Sequence, residues 1–93
     1  MRATIRRYDG NPDLAERLAA RSDDVQALIS GVAGFRAYYL VQSDDGTASI
    51  TICDDQAGVE ESSRLAASFL AEQMPDVVSA APEMFMGEVV IDF

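Results

Sequence analysis

The residues of this chain best suited to chemistry are its arginines and its three tyrosines, Tyr8, Tyr38 and Tyr39. A guanidinium can stabilise negative charge developing on a bound oxygen. A phenol can donate a hydrogen bond to that oxygen or take part in proton transfer. Arg6, Tyr38 and Tyr39 are the candidate catalytic set. Tyr38 and Tyr39 are adjacent on an expected strand, so they point to opposite faces and at most one lines any given cavity. Arg6, Tyr38 and Glu88 fall on one expected face, which leaves two readings. One is a polar cluster that orients an acidic or phenolic ligand. The other is an Arg6–Glu88 salt bridge across neighbouring first and last strands, because structural ion pairs mimic sites. Aromatic packing is a second use for all three tyrosines.

The remaining reactive groups read as structural. Cys53 would need a base beside it to act as a nucleophile, and the chain has no histidine. Asp44-Asp45 and Asp54-Asp55 lack calcium-loop spacing and suit a turn and a helix cap. No metal or cofactor is expected. Met74, Met84 and Met86 with Phe69 and Phe85 suit either an adaptable pocket or ordinary core filling. Ser62, Ser63, Ala66 and Ala67 either leave space beneath a helix or allow close packing.

The elements that must position these residues follow from periodicity. Met1 to Tyr8 alternates as a half-buried strand, with Ala3 and Ile5 on one face and Thr4, Arg6 and Tyr8 on the other. Asn11-Pro12 opens a helix, with Asn as the cap and Pro at the first helical position. Leu14, Leu18, Val25, Leu28, Ile29 and Val32 carry that helix at helical spacing. Phe35 to Gln42 is a strand with Phe35, Ala37, Tyr39 and Val41 on one face. Asp45-Gly46 marks a hairpin whose turn uses positive φ, and Thr47 to Cys53 returns. Asp54 or Asp55 caps a second helix, on which Glu60 and Arg64 are spaced to pair. Pro75 stops it, Val77 and Val78 tuck against the core, and Met84 to Phe93 forms the last strand.

Composition bounds the function. Ninety-three residues make one domain, residues 1–93, short of core on its own. Sixteen acidic residues against seven basic give a net charge of −9. Such a surface repels phosphate backbones and anionic membranes, so nucleic acid and membrane are not expected partners. A lone cysteine fits a reducing compartment. The start Met1-Arg2-Ala3-Thr4-Ile5 has no apolar run of the Sec type, so a cytoplasmic location is expected.

Strand, helix, strand, strand, helix, strand is the α+β, ferredoxin-like βαββαβ order: an antiparallel four-stranded sheet with two helices on one face. The helix-covered face is expected to hold Ile5, Tyr39, Ile50, Ile52, Val89 and Ile91. The other face, with Arg6, Tyr8, Tyr38, Leu40, Met86 and Val90, is too apolar and aromatic for water and is expected to meet a second copy.

The run Gly34-Phe35-Arg36-Ala37-Tyr38-Tyr39-Leu40-Val41 entering a hairpin resembles the small antibiotic-biosynthesis-monooxygenase-like proteins of the dimeric α+β barrel superfamily. So does Ser49-Ile50-Thr51-Ile52 leading into Asp55-Gln56-Ala57-Gly58-Val59-Glu60-Glu61-Ser62. The resemblance covers essentially the whole chain. It implies a homodimer joined through the sheet face and a pocket between each sheet and its helices. Some members oxidise aromatic polyketides with molecular oxygen and no cofactor, and others bind and degrade haem. Members with assigned chemistry use combinations of Asn, Trp, Tyr, Arg or His. This chain has no Trp or His, and its only Asn is Asn11. What the resemblance implies here is cofactor-independent oxidation, or binding, of a small apolar or aromatic molecule. The alternative is a non-catalytic dimer that binds a ligand or a partner protein. The residues leave open whether the chain is an enzyme.

Overall fold

The computed structural model describes residues 1–9, 13–75 and 82–93. Strands β1 (Arg2–Asp9), β2 (Phe35–Gln42), β3 (Gly46–Cys53) and β4 (Glu83–Glu88) form one sheet in the order β2-β3-β1-β4. Every neighbouring pair is antiparallel. Helices α1 (Leu14–Ala19) and α2 (Ser22–Ile29) follow β1, and α3 (Gln56–Gln73) follows β3. The α+β, βαββαβ-like arrangement is therefore present, with the expected first helix broken into two. The break falls at Arg21, which leaves helical geometry with φ −117° and ψ 33°. Positions 21 and 22, one turn past Leu18, are Arg and Ser, so no apolar side chain holds that turn on the sheet. Arg21 instead bonds Asp24 at 3.0 Å and Gln73 of α3 at 2.9 Å, and covers the Phe69 ring. The expected Asn11 cap and Pro12 start lie outside the described residues, as do Val77 and Val78.

The two faces of the sheet are the reverse of the expected ones. The helices cover Thr4, Arg6, Tyr8, Thr47, Ser49, Thr51 and Cys53, all buried. Ile5, Ile50 and Ile52 lie on the uncovered face, where Tyr39, Val41 and Phe85 are exposed. Alternation with period two separates two faces but does not say which one the helices take. Two local clusters fill the helix side. Tyr8 packs with Leu14, Leu18, Leu70 and Met74, and Cys53 with Val32 and Val59.

Phe35 joins the second cluster because the ladder shifts register between Phe35 and Ala37, which puts these two residues on opposite faces. The last strand ends at Glu88 rather than Phe93. Its neighbour β1 begins at Arg2, opposite Glu88, so beyond one bond from Val89 N–H to the Met1 carbonyl there is no strand left to pair with. Val90, Ile91 and Phe93 are consequently exposed. The hairpin turn uses no positive φ. It is closed by Ser43, whose N–H donates to the Gly46 carbonyl and whose hydroxyl accepts from Asp45 N–H. Gly46 is required by close approach instead, since a Cβ there would lie 2.5 Å from the Tyr8 carbonyl oxygen. Arg64 pairs with Glu61, not with Glu60, which accepts from Gln56.

Candidate functional site

Arg6 projects from the middle of β1 beneath the helices and is 2% exposed. The sheet register sets its surroundings in rows. One row across β2, β3 and β1 reads Leu40, Ser49, Arg6; the next reads Tyr38, Thr51, Thr4. Tyr8 lies two residues along β1, on the same face. From above, α3 presents Val59, Ser62, Ser63, Ala66 and Leu70 at helical spacing. That helix is fixed at its start by Asp55, whose carboxylate accepts from Gly58 N–H at 3.0 Å, as expected of a cap residue.

Two hydroxyls hold the guanidinium. One terminal nitrogen donates to Ser63 Oγ at 2.9 Å and the other to Thr51 Oγ1 at 3.2 Å. The Ser63 hydroxyl in turn donates a hydrogen bond to the Val59 carbonyl. Arg6 Nε is buried without a partner, and so are the hydroxyls of Thr4, Thr47 and Ser49. Among the described residues no carboxylate pairs with Arg6. Arg7, Arg21, Arg36 and Arg64 do have acidic partners, and those pairs are at the surface. The expected Arg6–Glu88 pair does not form, because Met84 stands opposite Arg6 and Glu88 stands opposite Arg2. A buried charge is normally paired. Among the described residues this one is met by neutral hydroxyls.

Two phenols complete the layer. Burial pushes the Tyr8 hydroxyl above its ordinary pKa, against the opposing charge of Arg6 and a hydrogen bond with it. Burial likewise raises Tyr38, again opposed by the Arg6 charge; Tyr8 adds to the rise, and the Ser49 hydroxyl acts against it without completing a well-aligned hydrogen bond. Both phenols stay protonated at neutral pH and act as donors.

Two cavities meet at Tyr38. A groove of about 860 Å³ runs between α1, α2 and β2, lined by Leu18, Val25, Ile29, Phe35, Tyr38 and Leu40 among others. A small cavity of about 30 Å³ lies deeper, where Arg6, Tyr8, Tyr38 and Ser49 supply the polar wall. Leu18, Val25, Ile29 and Tyr38 line both. The arrangement is an apolar slot that shares Tyr38, Leu18, Val25 and Ile29 with a smaller cavity reached by Arg6.

Of the three residues picked from sequence, Arg6 and Tyr38 come together here. Tyr39 turns to the other face, 57% exposed, and touches the groove only from the strand edge. Tyr8, Ser49, Thr51 and Ser63 belong to the layer and were not picked. The alternation Thr4, Arg6, Tyr8 and Ser49, Thr51 already carried that signal. The small residues of α3 do leave room, since Ser63 receives Arg6 and Ala66 lines the deep cavity. Met74 is core, while Phe85, Met84 and Met86 are exposed. Cys53 is buried and its thiol pKa is raised, by burial first and then by Asp55 and Asp54. Among the described residues no cluster is placed to hold a metal ion, and no helix is long and apolar enough to cross a membrane.

No protein-family model matches the chain, and no curated protein matches it in sequence. Solved structures do match in fold. NE2512, a protein of unknown function from Nitrosomonas europaea, superposes with a TM-score of 0.74 at 19% identity, covering 99% of this chain and 91% of that one. The haem degrader MhuD from Mycobacterium tuberculosis, with two haems in its active site, gives 0.69 at 15% identity, covering 100% and 99%. A monooxygenase from the gene ActVA-Orf6 of Streptomyces coelicolor, in complex with nanaomycin D, gives 0.63 at 16% identity, covering 98% and 91%. The chain shares the ferredoxin-like α+β fold of these structures.

Proposed function

We propose that this chain binds a small aromatic molecule carrying an acidic oxygen. The ring occupies the apolar groove and the oxygen is directed past Tyr38 toward Arg6. The observation that carries this reading is the buried guanidinium with no described carboxylate partner, in a small cavity that shares Tyr38, Leu18, Val25 and Ile29 with the groove. An anionic oxygen there compensates the positive charge for which the described residues supply no carboxylate, in surroundings of low dielectric.

Holding a phenol or related carbon acid in its ionised form is also what cofactor-free oxidation requires. Loss of a proton from an activated CH2 leaves a carbanion. Its electron pair passes to molecular oxygen, a carbon–oxygen bond forms, and a proton completes a hydroperoxide. Loss of water then leaves a carbonyl, so one O2 is consumed per carbonyl and water formed. In this scheme Arg6 and Tyr38 stabilise the ligand's anion, and Tyr39 contributes only at the groove's edge. The fold shared with a monooxygenase that holds nanaomycin D supports this class of ligand. The residues fit a haem poorly. The chain has no histidine, and its one thiol is buried against Val59 and Gly58.

The working unit we propose is a cytoplasmic homodimer joined through the uncovered sheet face. That face offers Ile5, Tyr39, Ile50, Ile52 and Phe85, an apolar patch that a second copy would remove from water. The test is a titration of a panel of hydroxylated aromatics against wild type, Tyr38→Phe and Arg6→Met, with oxygen uptake recorded in parallel. Saturable binding weakened by both substitutions is expected. Binding that ignores both, or no binding at all, removes the reading and leaves a non-catalytic interaction dimer. Binding without oxygen uptake keeps the ligand site and removes the oxidation.

A further inference from the structure

The deep cavity is a built site even before any organic ligand enters. The geometry points to a small monatomic anion, of the halide class, bound at Arg6 in the ligand-free protein. The cavity of about 30 Å³ is large enough for one or two water-sized guests. Arg6, Tyr8, Tyr38 and Ser49 supply its polar wall, and each of these side chains can donate a hydrogen bond. Among the described residues no carboxylate lines it. The rest of the wall is apolar, including Val25, Ile29, Phe69 and Leu70. An anion bound there is attracted to the guanidinium through a medium that screens poorly.

Water is the competing occupant, and charge decides against it. A water that accepts from Arg6 must place its own two hydrogens on the hydroxyl oxygens of Tyr8, Tyr38 or Ser49, and it leaves the guanidinium without a counter-charge. A halide accepts from every donor and needs none in return. It also neutralises a charge that no described side chain neutralises. The net charge of −9 lies mostly on exposed carboxylates. At physiological salt its field is damped over about 8 Å, so it does not prevent entry of a small anion. The anion would occupy the seat assigned above to the ligand's oxygen. Competition between the two rests on that assignment; anion binding itself rests on the cavity alone.

The test is thermal unfolding at constant ionic strength, with sodium gluconate replaced stepwise by sodium chloride or bromide and no organic ligand present. Gluconate is too large for the cavity. A saturating rise in Tm is expected, roughly 6–11 °C at a tenfold excess over the dissociation constant. The rise should be absent in Arg6→Met and reduced in Ser49→Ala, which keeps the charge. Because Arg6→Met can also be judged only if it folds, the wild type is examined directly in bromide-soaked crystals. An anomalous bromide peak in the cavity beside the Arg6 side chain supports the proposal. An ordered water at that position in bromide, or the same Tm in chloride and gluconate, overturns it. Aromatic ligands that bind while halide does not would remove this inference and leave the proposed function intact.

Discussion

Replacing Arg6 by methionine separates a structural arginine from one held for a ligand. In the structure the guanidinium is desolvated, 2% exposed, and donates two hydrogen bonds to neutral hydroxyl oxygens, at 2.9 and 3.2 Å. Desolvating such an ion costs several kcal/mol, and two bonds involving a charged group return about 1.5–3 kcal/mol each, so its net contribution is close to zero. A methionine in its place gains about 1.5–3 kcal/mol from apolar burial and leaves Thr51 without that partner, which costs about 1–3 kcal/mol. Ser63 keeps its bond to the Val59 carbonyl. The two ledgers cancel to within about 1 kcal/mol, which for a domain of this size is about 4–8 °C in Tm. Differential scanning calorimetry in halide-free buffer should therefore find the variant within about 8 °C of wild type while its affinity for hydroxylated aromatics collapses. Breaking a buried ion pair would instead cost about 3–5 kcal/mol, a fall of at least about 12 °C. A fall that large would show that Arg6 is a structural cation and refute the argument.

Other perturbations test the surrounding packing. Tyr8 and Tyr38 have pKa values raised above 10.0 in the folded state, so the unfolded chain loses these protons first as pH rises. Stability is then fully present below pH 10 and declines above it; urea midpoints between pH 8 and 11.5 check the sign, and an increase would contradict it. The Cys53 thiol is fully buried, so a thiol reagent should react only on unfolding, and immediate labelling at pH 8 would show the cluster with Val32 and Val59 to be open. In Gly58→Ala the new methyl would lie 2.8 Å from Cys53 Cβ and 3.1 Å from the Ala33 carbonyl oxygen, forcing α3 off β3. Overpacking of about 1–3 kcal/mol, less up to about 1 kcal/mol of helix propensity, leaves a net loss measurable by chemical denaturation. Ile50→Asp places a charge between Tyr39 and Ile5 on the uncovered face. Light scattering should find a folded monomer, and a persistent dimer would place the interface elsewhere.

The sequence made the fold legible because each element carries its own period and its own terminators. Asp55 before an apolar stripe read as a cap, and the alternation of β1 and β3 read as strands. What stayed hidden depends on partners distant in sequence. The end of β4 is set by where β1 begins, not by the Val89–Phe93 pattern itself. The register shift near Arg36 moves Phe35 to the helix side, and nothing in Phe35-Arg36-Ala37 announces it. Arg6 and Tyr38 were recognisable by type and parity. Tyr8, Ser49, Thr51 and Ser63 became part of the site only once the rows of the sheet and the position of α3 were known.

The reversed sheet connects these findings. A helix–sheet interface usually receives the branched aliphatic side chains, yet here α3 lies on threonines, serines and an arginine while the isoleucines face outward. Such an interior stabilises the isolated chain poorly, since hydroxyls return little on burial even when bonded and cost about 1–3 kcal/mol when not. Among the described residues four buried polar side-chain atoms have no partner. A chain that only needed to fold would gain by exchanging its faces. The arrangement becomes economical when the outward isoleucines are covered by a second copy, which supplies the apolar burial that the interior lacks. The interior is then free to be polar, and a cation can sit within it, in wait for an anion. On this argument dimer and site are one design: loss of the dimer in Ile50→Asp should lower stability and ligand affinity together. A variant monomer that kept full affinity would uncouple them.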